Sequence, residues 1–129
     1  MSANRIINGQ LASLLARFRH INAIAIVDGP FPTYPNIETV DLAVVLGLPL
    51  IPDVLSAILP NIEVSSVTMA KEFETKVDAK VVGEYRKVIS HLPLNIITHE
   101  DFKLQVGHTL GIIHTGDNVP YSSVILNCG

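Results

Sequence analysis

Short apolar runs of strand length alternate along the chain with segments of helical periodicity. Runs of this length are typical of buried β-strands, and none approaches the roughly 18–20 residues that a membrane-spanning helix needs. Strands that alternate with helices predict an α/β domain. The predicted strands are residues 21–27, 41–47, 62–70, 94–98, 110–114 and 122–127.

Apolar residues at helical spacing predict four helices, one before the first strand and three between strands. The first begins at Asn8 or Gly9 and ends near Arg19, and the others are residues 52–59, residues 77–92 and a helix that begins at His99. Thr98 precedes that last helix and is suited to cap it. The pattern predicts one domain over residues 1–129, a three-layer α/β/α fold with a mixed sheet of about six strands.

The composition favours self-association. Apolar residues make up 48% of the chain and charged residues 16%, which is little charge to cover the surface of a small monomer, so we expect a homo-oligomer.

A net charge of −3 with scattered basic residues argues against a nucleic-acid partner. Cys128 is the single cysteine, so an internal disulfide is excluded. The N-terminal segment lacks the apolar core of a signal peptide, and we expect a cytoplasmic protein with no membrane partner.

Motifs for phosphate, dinucleotide or zinc binding are absent from the sequence, and the histidines lack metal-ligand spacing, so no metal site is predicted. Acid–base chemistry at the strand ends remains, which is where α/β proteins place their sites. Asp28 follows the first strand and opens a proline-rich segment, His20 precedes that strand, His99 follows the fourth, and Tyr121 precedes the last. Each residue alone is better explained as a capping or turn residue. Together they predict a site.

Several motifs occur in a specific order: GQLASLLARFRH, DGPFP, VDLAVVLGLP, THEDFK, TGDNVPYSS and ILNCG. With these motifs the chain resembles, over nearly its whole length, the D-ribose pyranases and their L-fucose mutarotase relatives. The resemblance implies an isomerase that interconverts cyclic forms of a free monosaccharide without a cofactor. D-Ribose, exchanged between its β-pyranose and β-furanose forms, is the expected substrate. It also implies rings of subunits, commonly decamers, with sites between neighbours.

The resemblance further implies roles for residues at the matching positions. His20 is the expected proton donor, and Asp28 and His99 are expected sugar contacts. The family's Y-A-N sugar-binding triplet falls on Tyr121, Ser122 and Ser123. Ser123 therefore stands where the family has asparagine, and a short hydroxyl replaces an amide. The segment DGPFP also differs from the D-A-G-L-P of ribose-type members.

Two alternatives to a ribose pyranase stay open. An L-fucose-type mutarotase is favoured by the segment IPDVLSAILP and disfavoured by THEDFK. A catalytically silent sugar-binding oligomer is favoured by Ser123 and the altered loop. A binding protein of this kind would keep its affinity for the sugar after His20→Ala, whereas an enzyme would lose turnover.

The spacing of His20 and Asp28 raises a geometric question. A strand rises about 3.3 Å per residue, so the two side chains could lie on the order of 25 Å apart if the segment between them is extended. A monosaccharide spans much less than that distance. Either the chain around His20 curls back, or the two residues of one site come from different subunits, and we expect the second arrangement.

Overall fold

Residues 5–129, the part of the chain that the computed structural model describes, contain six β-strands and five α-helices. The strands are β1 (Ala23–Val27), β2 (Thr39–Asp41), β3 (Ser66–Ala70), β4 (Leu94–Ile97), β5 (Gly111–His114) and β6 (Val124–Asn127). The helices are α1 (Gly9–Ala16), α2 (Ile51–Ile58), α3 (Glu72–Lys76), α4 (Ala79–Lys87) and α5 (His99–Val106). None of the helices in this part of the chain is long and apolar enough to cross a lipid bilayer.

The strands form one mixed sheet in the order β2-β5-β1-β6-β3-β4. β6 runs antiparallel to both of its neighbours, β1 and β3, whereas the other pairs are parallel. The carboxyl ends of β1, β3, β4 and β5 therefore lie at one edge of the sheet together with the amino end of β6. We call this the upper edge, and the opposite one the lower edge.

Both faces of the sheet are covered, as the predicted three-layer α/β/α architecture requires. Side chains alternate between the faces along a strand, so Ile24 and Ile26 of β1 belong to a large core that includes buried residues of α1 and α2. Ala25 and Val27 belong to a smaller core on the other face, where Phe102 of α5 packs. The predicted fold class and mixed sheet are confirmed.

The predicted strand at 41–47 is wrong in its position. β2 ends at Asp41, and the apolar side chains that follow it are exposed rather than buried: Val44, Val45, Leu46 and Leu48. Within residues 5–129, β2 pairs only with β5. Beyond β2 the chain turns back on itself, with Val44 N–H donating to Leu48 O and Gly47 at φ +98°. We call residues 44–48 the apolar loop.

α4 is shorter than the helix predicted at residues 77–92, and it ends at Lys87.

Candidate active site

Asp28 leaves the end of β1 at the upper edge, and only 8% of its surface is exposed. Ser123, just before β6, binds it twice: the Ser123 hydroxyl donates to Asp28 Oδ1 over 2.6 Å and accepts from the Asp28 N–H over 3.0 Å. Burial raises the pKa of the Asp28 carboxyl above its ordinary value, and the hydrogen bond from Ser123 opposes that rise. Asp28 is therefore a buried carboxyl whose protonation is sensitive to its neighbours.

His99 is the first residue of α5, and aromatic rings surround its imidazole. The edge of Tyr121 lies 5.0 Å away between ring centroids, and Phe31 and Phe102 lie 6.2 and 6.3 Å away. The backbone N–H of His99 donates to Glu72 Oε1 over 3.0 Å. His99 also acts electrostatically on Asp28, lowering the pKa of that carboxyl. The structure thus brings His99, Tyr121 and Asp28 to one place.

Tyr121 lies in the turn before β6 and has φ +62°, a left-handed conformation that is uncommon for a bulky residue. Ser122 follows it and is fully buried, and its hydroxyl donates to Val119 O over 2.7 Å. Ser123 is 2% exposed and is bound to Asp28 as described above. Both predicted serine contacts therefore lie at the upper edge, and both hydroxyl protons are donated to protein acceptors.

Asp117 lies beside the candidate site and was not predicted from the sequence. It is fully buried, and its carboxylate accepts hydrogen bonds from the N–H of Ile51 at 2.9 Å, the hydroxyl of Tyr85 at 2.8 Å and the N–H of Val119 at 2.9 Å. Burial and this carboxylate together raise the pKa of the Tyr85 hydroxyl. The carboxylate therefore ties the loop before Tyr121 to α2 and α4.

The backbone of Asp117 holds the segment that follows Asp28. Its carbonyl accepts from Gly29 N–H over 2.6 Å, and His114 Nε2 donates to the Gly29 carbonyl over 2.8 Å. Asp117 is near enough for its charge to raise the pKa of Asp28. The sequence signal for Asp117 was the motif TGD, a pattern shared by many ordinary turns.

His20 lies at the lower edge, exposed, before β1 begins. It lines a groove of about 880 Å³ together with His91, Cys128 and Gly129. β1 spans five residues, and at about 3.3 Å per residue it separates His20 from Asp28 of the same protomer by more than about 15 Å. The structure therefore brings Asp28, His99, Tyr121 and Ser123 together and leaves His20 at the opposite end of the sheet.

Comparison with known proteins places this geometry in context. A D-ribose pyranase of Geobacillus thermodenitrificans is 34% identical to the chain, over all of this chain and 97% of the relative. The structure of Bacillus subtilis RbsD complexed with D-ribose matches with a TM-score of 0.89 and 28% identity, over 100% of this chain and 98% of that one. The fucose mutarotase of Streptococcus pneumoniae, solved in complex with L-fucose, matches with a TM-score of 0.80 at 23% identity, over 95% of this chain and 93% of that one, a likeness of fold.

A family model described as the RbsD / FucU transport protein family matches residues 1–129. The match spans the N-terminal helix, both edges of the sheet and every predicted site residue. This chain belongs to the RbsD / FucU family.

Proposed function

We propose that this protein is an isomerase that interconverts the β-pyranose and β-furanose forms of D-ribose, acting in the cytoplasm. The observation that carries the proposal is the meeting of a buried carboxyl, Asp28, with the rings of His99 and Tyr121 at the upper edge. The proposal is supported by a fold-wide match to a protein solved with D-ribose bound.

The chemistry is the opening and reclosure of a hemiacetal. One group must remove the proton of the anomeric hydroxyl while another protonates the ring oxygen, and reclosure through a different hydroxyl changes the ring size. Histidine suits such transfer near neutral pH because its unperturbed pKa is about 6.5. We assign the role of proton donor to His20. We assign sugar contacts to Asp28, His99 and Tyr121. The reaction requires only proton transfer, so the proposal includes no cofactor.

Each site in this proposal combines two protomers, because His20 lies more than about 15 Å from Asp28 within one chain. His20 of one subunit would meet Asp28, His99 and Tyr121 of the next, a head-to-tail contact that closes into a ring when repeated. Exposed apolar side chains flank both ends of this contact. Ile21, beside His20, is 81% exposed, and the apolar loop is bound at the upper edge through the Gly47 N–H to the Gly116 carbonyl. We propose a decamer, as the resemblance implies.

Exchange NMR on D-ribose and on L-fucose, with and without the protein, tests the activity. We expect faster pyranose–furanose exchange in D-ribose. Acceleration of anomer exchange in L-fucose alone would move the protein to the mutarotase branch of the family. Binding of a sugar with no acceleration of either would leave a catalytically silent sugar-binding protein.

The variant His20→Ala tests the role assigned to His20 in this measurement. His20 is exposed and belongs to no hydrophobic core, so the variant should fold and assemble. Positioned acid–base catalysis contributes roughly 10²–10⁴-fold, and we expect the exchange rate to fall by about that factor.

A further inference from the structure

The hydroxyl proton of Ser123 is donated within the protein and is not available to a sugar. A serine hydroxyl has a single donor, and here it is given to Asp28 Oδ1 over 2.6 Å. The same oxygen accepts from the Asp28 N–H over 3.0 Å. With 2% of its surface exposed, the side chain is enclosed by the protein and engaged on both sides by one residue.

The pairing of β1 with β6 explains why Ser123 reaches Asp28. These strands are antiparallel neighbours, with Ile26 opposite Val124, so the register brings residue 123 beside the end of β1. A serine side chain is short and reaches the adjacent carboxylate from this position. Ser123 donates to Oδ1 of the carboxylate, and Oδ2 is the oxygen that we assign to the ligand.

We propose that Ser123 is a positioning residue, which holds the Asp28 carboxylate so that Oδ2 faces the sugar, and that it makes no contact with the sugar itself. This assignment differs from the sugar contact expected from the sequence, and it rests on the proposed function in assuming that the sugar binds at Asp28. The sugar is then held by Asp28, His99 and Tyr121 without a side chain from position 123.

The protonation of Asp28 gives this role a measurable signature. Three neighbouring side chains act on the carboxyl together with burial: Ser123 from just before β6, Asp117 from the loop after β5, and His99 from α5. Burial and Asp117 raise the pKa of Asp28, whereas Ser123, the backbone N–H of Asp28 itself and His99 lower it. A hydrogen bond to the ionised form favours that form. Removing the Ser123 hydroxyl should therefore raise the pKa of Asp28 and move the acid limb of activity to higher pH.

The test is a pH titration of the Asp28 side-chain carboxyl carbon by NMR in the wild type and in Ser123→Ala, with Asp28→Asn identifying the signal. We expect a higher Asp28 pKa in Ser123→Ala and a near-native value in Ser123→Thr, which keeps the hydroxyl. Ser122→Ala is the matched control, because that neighbouring buried hydroxyl donates to Val119 O instead, and it should leave the Asp28 pKa unchanged. If Ser123→Ala does not fold, the same comparison is made with Ser123→Cys, whose thiol is a weaker donor.

D-Ribose exchange in the same variants separates the two roles for Ser123. A positioning role predicts that Ser123→Ala loses activity mainly on the acid side of the pH profile. An unmoved Asp28 titration, with KM for D-ribose raised equally at every pH, would show a direct sugar contact and overturn the inference. Failure of the proposed function looks different, because the wild type would then not accelerate ribose exchange whatever the carboxyl titration shows.

Discussion

Burial raises the pKa of the Asp28 carboxyl above its ordinary value of 3.8, and the negative charge of Asp117 acts in the same direction. A carboxyl with a raised pKa in the folded state stabilises the fold only while it is protonated. Its contribution is complete below the unfolded value and is lost as the pH rises through the folded value. At neutral pH, the buried carboxyl of Asp28 therefore lowers the stability of the fold.

Asp28→Asn should make the protein more heat-stable at neutral pH and abolish ribose exchange. The asparagine oxygen can still accept from the Ser123 hydroxyl, and a buried charge is removed. The gain in Tm over the wild type should disappear below about pH 3.8, where Asp28 is protonated in both states. Thermal unfolding across the pH range at one protein concentration measures this. A constant difference at every pH, or the same gain in the exposed control Asp78→Asn, would contradict the prediction.

Among elements, α5 is held at its first residue by a side chain from another helix. The first N–H groups of a helix lack partners within it; here Thr98 Oγ1 accepts from Asp101 N–H, and Glu72 Oε1 of α3 accepts from the N–H of His99. Glu72 thus couples the position of the imidazole to the end of β3.

Glu72→Ala should lower both the stability of the protein and its affinity for D-ribose. Loss of a capping side chain costs about 0.5–2 kcal/mol, and the released end of α5 would leave the His99 ring less well placed. Glu72→Gln keeps an acceptor oxygen and should restore most of the affinity. Glu74→Ala is the control, because Glu74 on the same helix pairs with Arg86 instead. Equal effects of Glu72→Ala and Glu74→Ala on KM would argue against this role for Glu72.

The sequence allowed the layers, the mixed sheet and five of the six strands to be located, because each of those strands carries an apolar run. That run is buried in β1, β3, β5 and β6 and half-exposed in β4. The run at 41–47 misled because its side chains are exposed in this chain, and apolar spacing alone does not distinguish burial in a core from exposure on a surface. The proximity of Asp28, His99 and Tyr121 could be predicted because strand ends gather at one edge. Asp117 was not predicted, since its partners Ile51 and Tyr85 lie far away in the sequence.

At the scale of the whole molecule, the two parts of the proposed site lie at opposite edges of one sheet. An assembly with sites between subunits predicts that two inactive variants can complement each other. A subunit carrying His20→Ala still supplies Asp28, and a subunit carrying Asp28→Asn still supplies His20, so a mixed ring contains some interfaces with both native residues.

Co-expression of these two variants should restore ribose exchange to about a quarter of the wild-type rate, because random head-to-tail mixing makes one contact in four native. Each variant purified alone and mixed without subunit exchange is the control. Size-exclusion chromatography with light scattering checks that the mixed ring has the wild-type mass. Absence of recovery in a ring of native size would place the whole site within one chain.

Gly116 lies between the apolar loop and Asp117, so its identity constrains which substitutions this protein can accept. A side chain at position 116 would collide with the carbonyl oxygens of Val45 and Leu48, so only glycine lets the apolar loop lie against the backbone beside Asp117. A replacement there would displace the surface that we propose contacts a neighbour and would disturb the carboxylate that anchors the turn before Tyr121. A substitution at position 116 would therefore affect the proposed subunit contact and the candidate site together, and we expect glycine to be retained there wherever both are under selection.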